Sequence, residues 1–157
     1  MVIYIWLITN VLIDFIQIIS IILLTLSLCV DVKEVDVMKK EEPIRVAHII
    51  GKWLGGGVES VVMNYYRHID RTKIQFDFLC DKDSTNIPYE EIEQLGGRVI
   101  LIPPYQKVFK YQKELIRIFK ENNYKIVHSH INTLSVFPLR AAKKAGVKVR
   151  IAHSHST

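Results

Sequence analysis

The chain of 157 residues is long enough for one domain of ordinary size with its own core. Its two cysteines, Cys29 and Cys80, form neither a disulfide framework nor a zinc-binding spacing, which favours a reducing compartment. The formal net charge of +5 is uneven, because residues after position 37 carry 20 basic against 12 acidic side chains. Such an excess attracts the phosphates of nucleotides, nucleic acid or anionic lipid, and its sign alone does not choose among them.

Residues 1–30 are almost wholly apolar, and Asp14 is their only charged side chain. The uncharged stretch 15–30 is slightly shorter than the ~20 residues that span a bilayer, and a longer span would place Asp14 in lipid. No basic residue precedes the run and no small-residue cleavage site follows it, which argues against a secretory signal. We predict that residues 1–37 are either an apolar helix that anchors a cytoplasmic domain to the membrane, or an extension without a role.

From Ile44 onward, short apolar runs alternate with amphipathic ones. In chain order they predict strand Ile44–Ile50, helix Val58–His68, strand Ile74–Cys80, helix Tyr89–Leu95, strand Arg98–Ile102, helix Val108–Asn122, strand Lys125–Ser129, helix Thr133–Ala145 and strand Val147–His153. The alternation predicts an α/β fold with a doubly wound, Rossmann-like parallel sheet of order 3-2-1-4-5 over residues 38–157. Because the chain stops just after the fifth strand, we expect the domain to be truncated.

A glycine-rich turn follows the first predicted strand and contains Gly55, Gly56 and Gly57. In the predicted order the winding reverses between strands one and four, and open parallel sheets bind ligands at that point, beyond the carboxyl ends of the strands. Glycines let the backbone approach a bulky ligand, and the next helix aims free N–H groups at the same place. We therefore predict a phosphate-binding loop, with a plain connecting turn as the alternative.

Two His-x-His pairs follow strands four and five, His128 with His130 and His153 with His155. In an extended strand the first and third residues share a side, so each pair brings two imidazoles together. Imidazole can move a proton near neutral pH or hydrogen bond to a hydroxyl or phosphate, which predicts a functional site. The alternatives are satisfied histidines at strand ends and a metal chelate. No obvious carboxylate stands at the same strand ends, and we expect no metal.

The helix predicted over Val108–Asn122 has a basic face and an apolar face. The basic stripe consists of Lys107, Lys110, Lys113, Arg117 and Lys120. A solvated surface is one interpretation of this stripe. The other is a surface that rests on anionic lipid headgroups, as interfacial amphipathic helices do.

Several motifs, taken in order, resemble the N-terminal domain of family-four glycosyltransferases of the bacterial capsular and exopolysaccharide branch. They are Ile44–Gly51, Gly55–Glu59, Met63–Arg67, Phe76–Leu79, Gly96–Val99, Lys125–His130 and Arg150–His155. Each motif is weak alone, but their order and spacing together are fairly specific. The resemblance runs nearly unbroken over residues 44–157 and leaves residues 1–37 outside it.

The resemblance implies a retaining enzyme of the two-domain GT-B type. Such an enzyme moves a sugar from a nucleotide-sugar donor to a lipid-linked or saccharide hydroxyl, typically without metal or cofactor. Residues 38–157 would be the acceptor-side domain, and the donor domain would be absent. The site residues expected on this basis are Gly55, Gly56 and Gly57 at the donor diphosphate, His130 and then His128 at the transferring sugar, and His153 and His155 on the acceptor side.

These expectations place the domain at the cytoplasmic face of the plasma membrane in surface polysaccharide synthesis, with an anionic membrane surface as partner and no nucleic acid. Half a cleft cannot exclude water or orient a donor, so we expect the chain alone to be inactive. A separate donor-domain chain, as in split glycosyltransferases, is one further partner.

Three other functions are compatible with parts of the sequence. One is a non-catalytic, membrane-associated binding module, and another is a histidine-rich metal hydrolase. The third is a nicotinamide-dependent oxidoreductase with Asp81 on a ribose hydroxyl, although Gly51 and Gly55–Gly57 do not fit the G-x-G-x-x-G pattern.

Overall fold

A computed structural model describes Gln17, Ile19, Ser20 and residues 42–155 of the chain. The apolar helix and the membrane anchor predicted within residues 1–37 therefore lie outside the described residues, apart from those three helical positions. Within the described ranges, no helix is both long and apolar enough to cross a bilayer.

Strands and helices alternate along residues 44–152, as the sequence predicts. In chain order they are β1 (Ile44–Gly51), α1 (Gly57–His68), β2 (Ile74–Asp81), α2 (Tyr89–Gln94), β3 (Arg98–Ile102), α3 (Val108–Glu121), β4 (Ile126–Ser129), α4 (Val136–Lys144) and β5 (Val149–Ala152). The predicted bounds agree within a few residues. The main difference lies before α4, where Asn132–Ser135 form a 3-10 turn rather than the first turn of the helix.

The five strands form one parallel sheet in the order β3-β2-β1-β4-β5, which confirms the predicted topology. In this sheet β1 lies between β2 and β4. Its His48 pairs in register with Phe78 of β2 on one side and with His128 of β4 on the other. The carboxyl ends of β1 and β4 are therefore neighbours at the point where the winding reverses.

The core lies on both faces of the sheet, as expected for strands that are apolar throughout. On the face covered by α1 and α2, here the α1 face, Val46 and Phe78 pack with Tyr66. On the face covered by α3 and α4, here the α3 face, Ile49 and Leu115 belong to the second cluster. Successive residues of a strand point to opposite faces, so even-numbered β1 positions such as His48 belong to the α1 face.

A satisfied polar network lies within the core on the α3 face. Asp77 of β2 has no exposed surface, and its carboxylate accepts hydrogen bonds from Arg45 and from Tyr124, each at 2.5 Å. Arg98 contributes two more, with Nε at 3.0 Å and Nη2 at 2.5 Å. The buried carboxylate is fully paired by the buried Tyr124 and by two partly exposed arginines, which is the condition under which a buried charge is tolerated.

Candidate functional site

Five imidazoles gather on the α1 face over strands β1, β4 and β5. We call them the histidine cluster: His48, His128, His130, His153 and His155. The parallel register explains the gathering, because it puts His48 opposite His128 and brings the residues after β4 beside those after β5. The structure thus brings together all four histidines predicted from sequence and adds His48.

Hydrogen bonds link three of these side chains in a row. His48 Nδ1 lies 2.9 Å from His130 Nε2, and His130 Nδ1 lies 3.0 Å from His155 Nε2. Both ring nitrogens of His130 are therefore engaged with other imidazoles. A ligand that bonds to either nitrogen must first displace one of these neighbours.

The surroundings of His48 favour one direction for this chain of hydrogen bonds. His48 Nε2 is buried and has no partner among the described residues. Because buried N–H groups without an acceptor are rarely tolerated, the proton of a neutral His48 belongs on Nδ1, which donates to His130. His130 then donates through Nδ1 to His155, whose own proton is left on Nδ1.

Burial disfavours the charged form of four imidazoles of the histidine cluster. It is the main cause that lowers the pKa of His48, His128, His130 and His155, and the neighbouring imidazoles lower each further. The pKa of His130 falls to about 3. A neutral imidazole of such low pKa is a hydrogen-bonding group at pH 7 rather than a readily titrated acid or base.

A narrow groove of about 240 Å³ separates the histidine cluster from helix α1. Its opposite wall consists of apolar or aromatic side chains, among them Val61, Val62 and Tyr65. The buried Nε2 atom of His128 also lacks a hydrogen-bond partner among the described residues. The cluster therefore contains buried hydrogen-bonding capacity that the described part of the protein does not use, and it presents mainly apolar ring surface to the groove.

The cluster also contains two sets of three imidazoles with the donor type that suits a transition metal. Their nearest ring nitrogens lie within 4.8 Å of one another in the set His48, His128, His130 and in the set His130, His153, His155. Neither set includes a carboxylate. The expectation that the protein needs no metal stays a prediction.

The glycine turn lies at the same edge and leads into α1, which covers the histidine face. Gly55 has φ of +84°, a conformation that glycine adopts without strain. The buried carboxylate of Glu59 holds the turn by accepting a hydrogen bond of 3.0 Å from the Leu54 N–H. A Cβ added at Gly57 would meet nothing within 4 Å, so the turn leaves room for a ligand there.

The sequence of the same region decides the family. Residues 55–157 match the sequence model of Glycosyltransferase Family 4. The chain belongs to glycosyltransferase family 4.

Two relatives show how this family member compares with known proteins. It is 38% identical over 116 residues to EpsF of Bacillus subtilis (strain 168), whose name assigns it provisionally as a glycosyltransferase. Its fold resembles the crystal structure of MurG from Acinetobacter baumannii, with a TM-score of 0.54 and 14% identity. The MurG match confirms the predicted Rossmann-like half of a GT-B fold.

The family-4 chain spans only part of each relative. The EpsF match covers 72% of this chain and 30% of EpsF, and the MurG match covers 71% of this chain and 35% of MurG. Membership favours a glycosyltransferase over the oxidoreductase considered above. The roles predicted for the glycine turn and for each histidine stay predictions.

Two residues of this glycosyltransferase domain were overlooked as site residues. His48 lies inside a buried apolar strand, where a single histidine is usually a core residue, and only its register with His128 reveals it. The sequence indicated Asp81 only as a possible ribose ligand of a nicotinamide-dependent oxidoreductase. It is 5% exposed and lines a second cavity, on the α3 face.

The predicted basic stripe lies on α3, and its five members are exposed. Arg117 is not a free cation, because it pairs with Glu114 at 2.7 Å and with Glu121 at 2.5 Å. Phe109 stands at the start of the same helix with 93% of its surface exposed. Among the described residues none forms an ion pair with the four lysines, so they carry the free positive charge of the stripe, and the Phe109 ring lies between Lys107 and Lys110.

Proposed function

We propose that this chain supplies the acceptor-side half of a retaining glycosyltransferase. The enzyme would move a sugar from a nucleotide-sugar donor to a lipid-linked or saccharide hydroxyl in surface polysaccharide synthesis. One observation carries the proposal: the histidine cluster lies over β1, β4 and β5, and the carboxyl end of β1 leads directly into the glycine turn. That end of the strands is where an open parallel sheet binds its ligand.

The chemistry of the two features fits the two parts of such a donor. The glycine turn leaves backbone and the amino end of α1 open to a diphosphate. The N–H that this row of imidazoles leaves on His155 Nδ1 is suited to donate a hydrogen bond to a sugar hydroxyl or to the leaving oxygen, and His130 can do so once a ligand displaces one of its neighbours. Transfer would take place in a cleft, so we expect little activity from these 157 residues without a donor domain.

Reconstituted transfer with matched variants tests this proposal. The chain is mixed with a separately produced donor domain of EpsF, radiolabelled UDP- and GDP-hexoses, and bacterial lipid extract as acceptor. We expect His130→Ala to reduce transfer by roughly 100-fold, because it removes the central imidazole of the row and the transition-state hydrogen bond that His130 can make once a ligand displaces a neighbour. His68→Ala is the control, since His68 is an exposed histidine of α1 whose Nδ1 contacts the Asn64 carbonyl. Equal activity of the two variants would overturn the assignment.

We further propose that α3 rests on the cytoplasmic face of the plasma membrane through its free lysines and Phe109. Basic side chains would meet anionic headgroups, and the exposed ring would enter the interface. Cosedimentation with phosphatidylglycerol vesicles should fall in Phe109→Ser and in the double variant Lys107→Gln, Lys110→Gln. Lys143→Gln with Lys144→Gln in α4 serves as the charge-matched control. Binding that ignores salt, or equal loss in the control, would contradict the proposal.

A further inference from the structure

A second cavity opens on the α3 face, at the carboxyl ends of strands β1 to β4. Its volume is about 260 Å³, and its lining includes Lys52, Asp81, Asp83, Tyr105 and Tyr111. At ~30 Å³ per water this space holds about nine waters. It is slightly smaller than the ~300–1,000 Å³ of sites for drug-sized ligands, which suits a ligand of a single ring.

The carboxylate of Asp81 is the unusual group in this cavity. The residue is 95% buried, being 5% exposed, yet no described residue donates a hydrogen bond to its carboxylate. Burial and the nearby charge of Asp83 raise its pKa to about 6, so the group is still mainly ionised at pH 7. A carboxylate that faces a cavity from a buried residue, with no donor from the described residues, is characteristic of sites that await a ligand.

The charges around Asp81 restrict the kind of ligand. Lys52 is committed to Asp83, with Nζ 2.8 Å from Oδ2, and both side chains are about half exposed. Two carboxylates against one ammonium leave the cavity with an excess of one negative charge. Phosphates and carboxylates are therefore repelled, whereas hydroxyl groups can donate hydrogen bonds to the Asp81 oxygens.

We propose that this cavity binds one neutral sugar ring of the acceptor, with the Asp81 carboxylate accepting hydrogen bonds from its hydroxyl groups. The inference rests on the proposed function and deepens it. It places the saccharide of the acceptor in this cavity, beside the carboxyl end of β1, from which the glycine turn proposed for the donor diphosphate leads to α1. The phosphate of a lipid-linked acceptor would then have to lie outside the cavity.

Binding of methyl glycosides to the full chain tests this inference without any turnover. Amide resonances of the ¹⁵N-labelled protein are followed during titration with the methyl glycosides of glucose, galactose and N-acetylglucosamine, up to about 50 mM because single sugars bind weakly. We expect saturable shifts at Gly51, Tyr105 and Gln106 for at least one glycoside. Asp81→Asn should weaken that binding by roughly tenfold, as loss of a charged acceptor does.

Asp83→Asn is the matched control, because it removes a carboxylate from the same loop that is exposed and already paired with Lys52. Its glycoside affinity should stay within about twofold of the parent. Tyr105→Ala tests the same wall independently, so the inference stays testable if Asp81→Asn folds poorly. Inorganic phosphate and Mg²⁺ are titrated in parallel as the competing ligand types.

Several results would overturn the proposal. They are the absence of saturable shifts with every glycoside, shifts confined to the histidine cluster, unchanged affinity in Asp81→Asn and Tyr105→Ala, or preferential binding of phosphate or Mg²⁺ at these residues. Failure of the proposed function would look different. Glycosides would still bind at Asp81, but His130→Ala would transfer sugar as well as His68→Ala in the reconstituted reaction.

Discussion

Two aspartates of strand β2 lie four residues apart on the same face of the sheet, but one carboxylate is fully hydrogen bonded and the other is not. Asp77 is fully buried and receives hydrogen bonds from two arginines and a tyrosine. Asp81 is nearly as buried and receives none from the described residues. The sequence pattern is the same for both, since each is a carboxylate in an apolar strand.

The two aspartates differ in hydrogen bonding because they lie at different positions along strand β2. Asp77 lies in the middle of β2, within reach of side chains from β1, β3 and the start of β4, whereas Asp81 ends the strand at a cavity. His48 Nε2, one register position beyond the level of Asp77, and His128 Nε2 also lack a partner among the described residues. The protein thus satisfies Asp77 within the sheet and leaves Asp81, where the strand ends at the cavity, without a donor from the described residues.

The largest expected effect is on the free energy of unfolding, which should change in opposite directions when the two aspartates are replaced. Asp77→Ala should lower the free energy of unfolding by about 3 kcal/mol, because it leaves Tyr124 and two arginines without their shared acceptor. Asp81→Asn should raise it by roughly 1 kcal/mol at pH 7, because an ionised buried carboxylate is removed. Urea denaturation at pH 7 measures both values. A clear loss of stability in Asp81→Asn would mean that Asp81 has a structural partner after all.

The next effect in size concerns the histidine cluster and pH. The pKa of His130 falls from an unfolded value near 6.5 to about 3 in the folded protein, so only the unfolded chain takes up a proton as pH drops below 6.5. His130 alone should therefore lower the free energy of unfolding by about 2 kcal/mol between pH 7 and pH 5. The loss should level off as pH approaches the folded pKa.

Asp81 has the opposite effect on the pH dependence of the free energy of unfolding. The effect of His130 is therefore measured most clearly in a variant that lacks the Asp81 carboxylate. Its pKa is raised in the folded state, so its destabilising effect is present at pH 7 and fades as pH falls through about 6. Urea denaturation at pH 7, 6 and 5 is best done in Asp81→Asn, with and without His130→Asn. If the slope with pH is the same in both backgrounds, His130 is not neutral in the folded protein in the way its burial requires.

The fold could be predicted almost completely from the sequence, because strand and helix periods are local signals. Apolar residues repeat at helical spacing from Val108 to Phe119, and the structure buries this stripe on α3 from Tyr111 onward while Val108 stays exposed. The contribution of His48 was not predictable in this way. It depends on the register between β1 and β4, which pairs residues 80 positions apart and is set by packing of the whole sheet.

The environment of Asp81 could not be predicted from the sequence, for a related reason. A carboxylate at a strand end predicts a site, but whether an arginine reaches it depends on tertiary neighbours. Asp77 has Arg45 and Arg98 beside it because β1 and β3 flank β2 there. The basic residue near Asp81 is Lys52, but its ammonium group forms an ion pair with Asp83. Whether a carboxylate in this strand is paired by an arginine therefore depends on the tertiary structure.

The smallest expected change in stability gives the sharpest test of the glycine turn. Gly57 has an ordinary φ and open space where a Cβ would lie, so Gly57→Ala should alter the free energy of unfolding by no more than about 0.5 kcal/mol. Gly55 has φ of +84°, and Gly55→Ala should cost about 1 kcal/mol from backbone strain alone. If the backbone at Gly57 approaches the donor diphosphate, the harmless methyl group of Gly57→Ala should raise the KM for the nucleotide-sugar in the reconstituted reaction. An unchanged KM together with unchanged stability would show that the glycines serve only to connect β1 with α1.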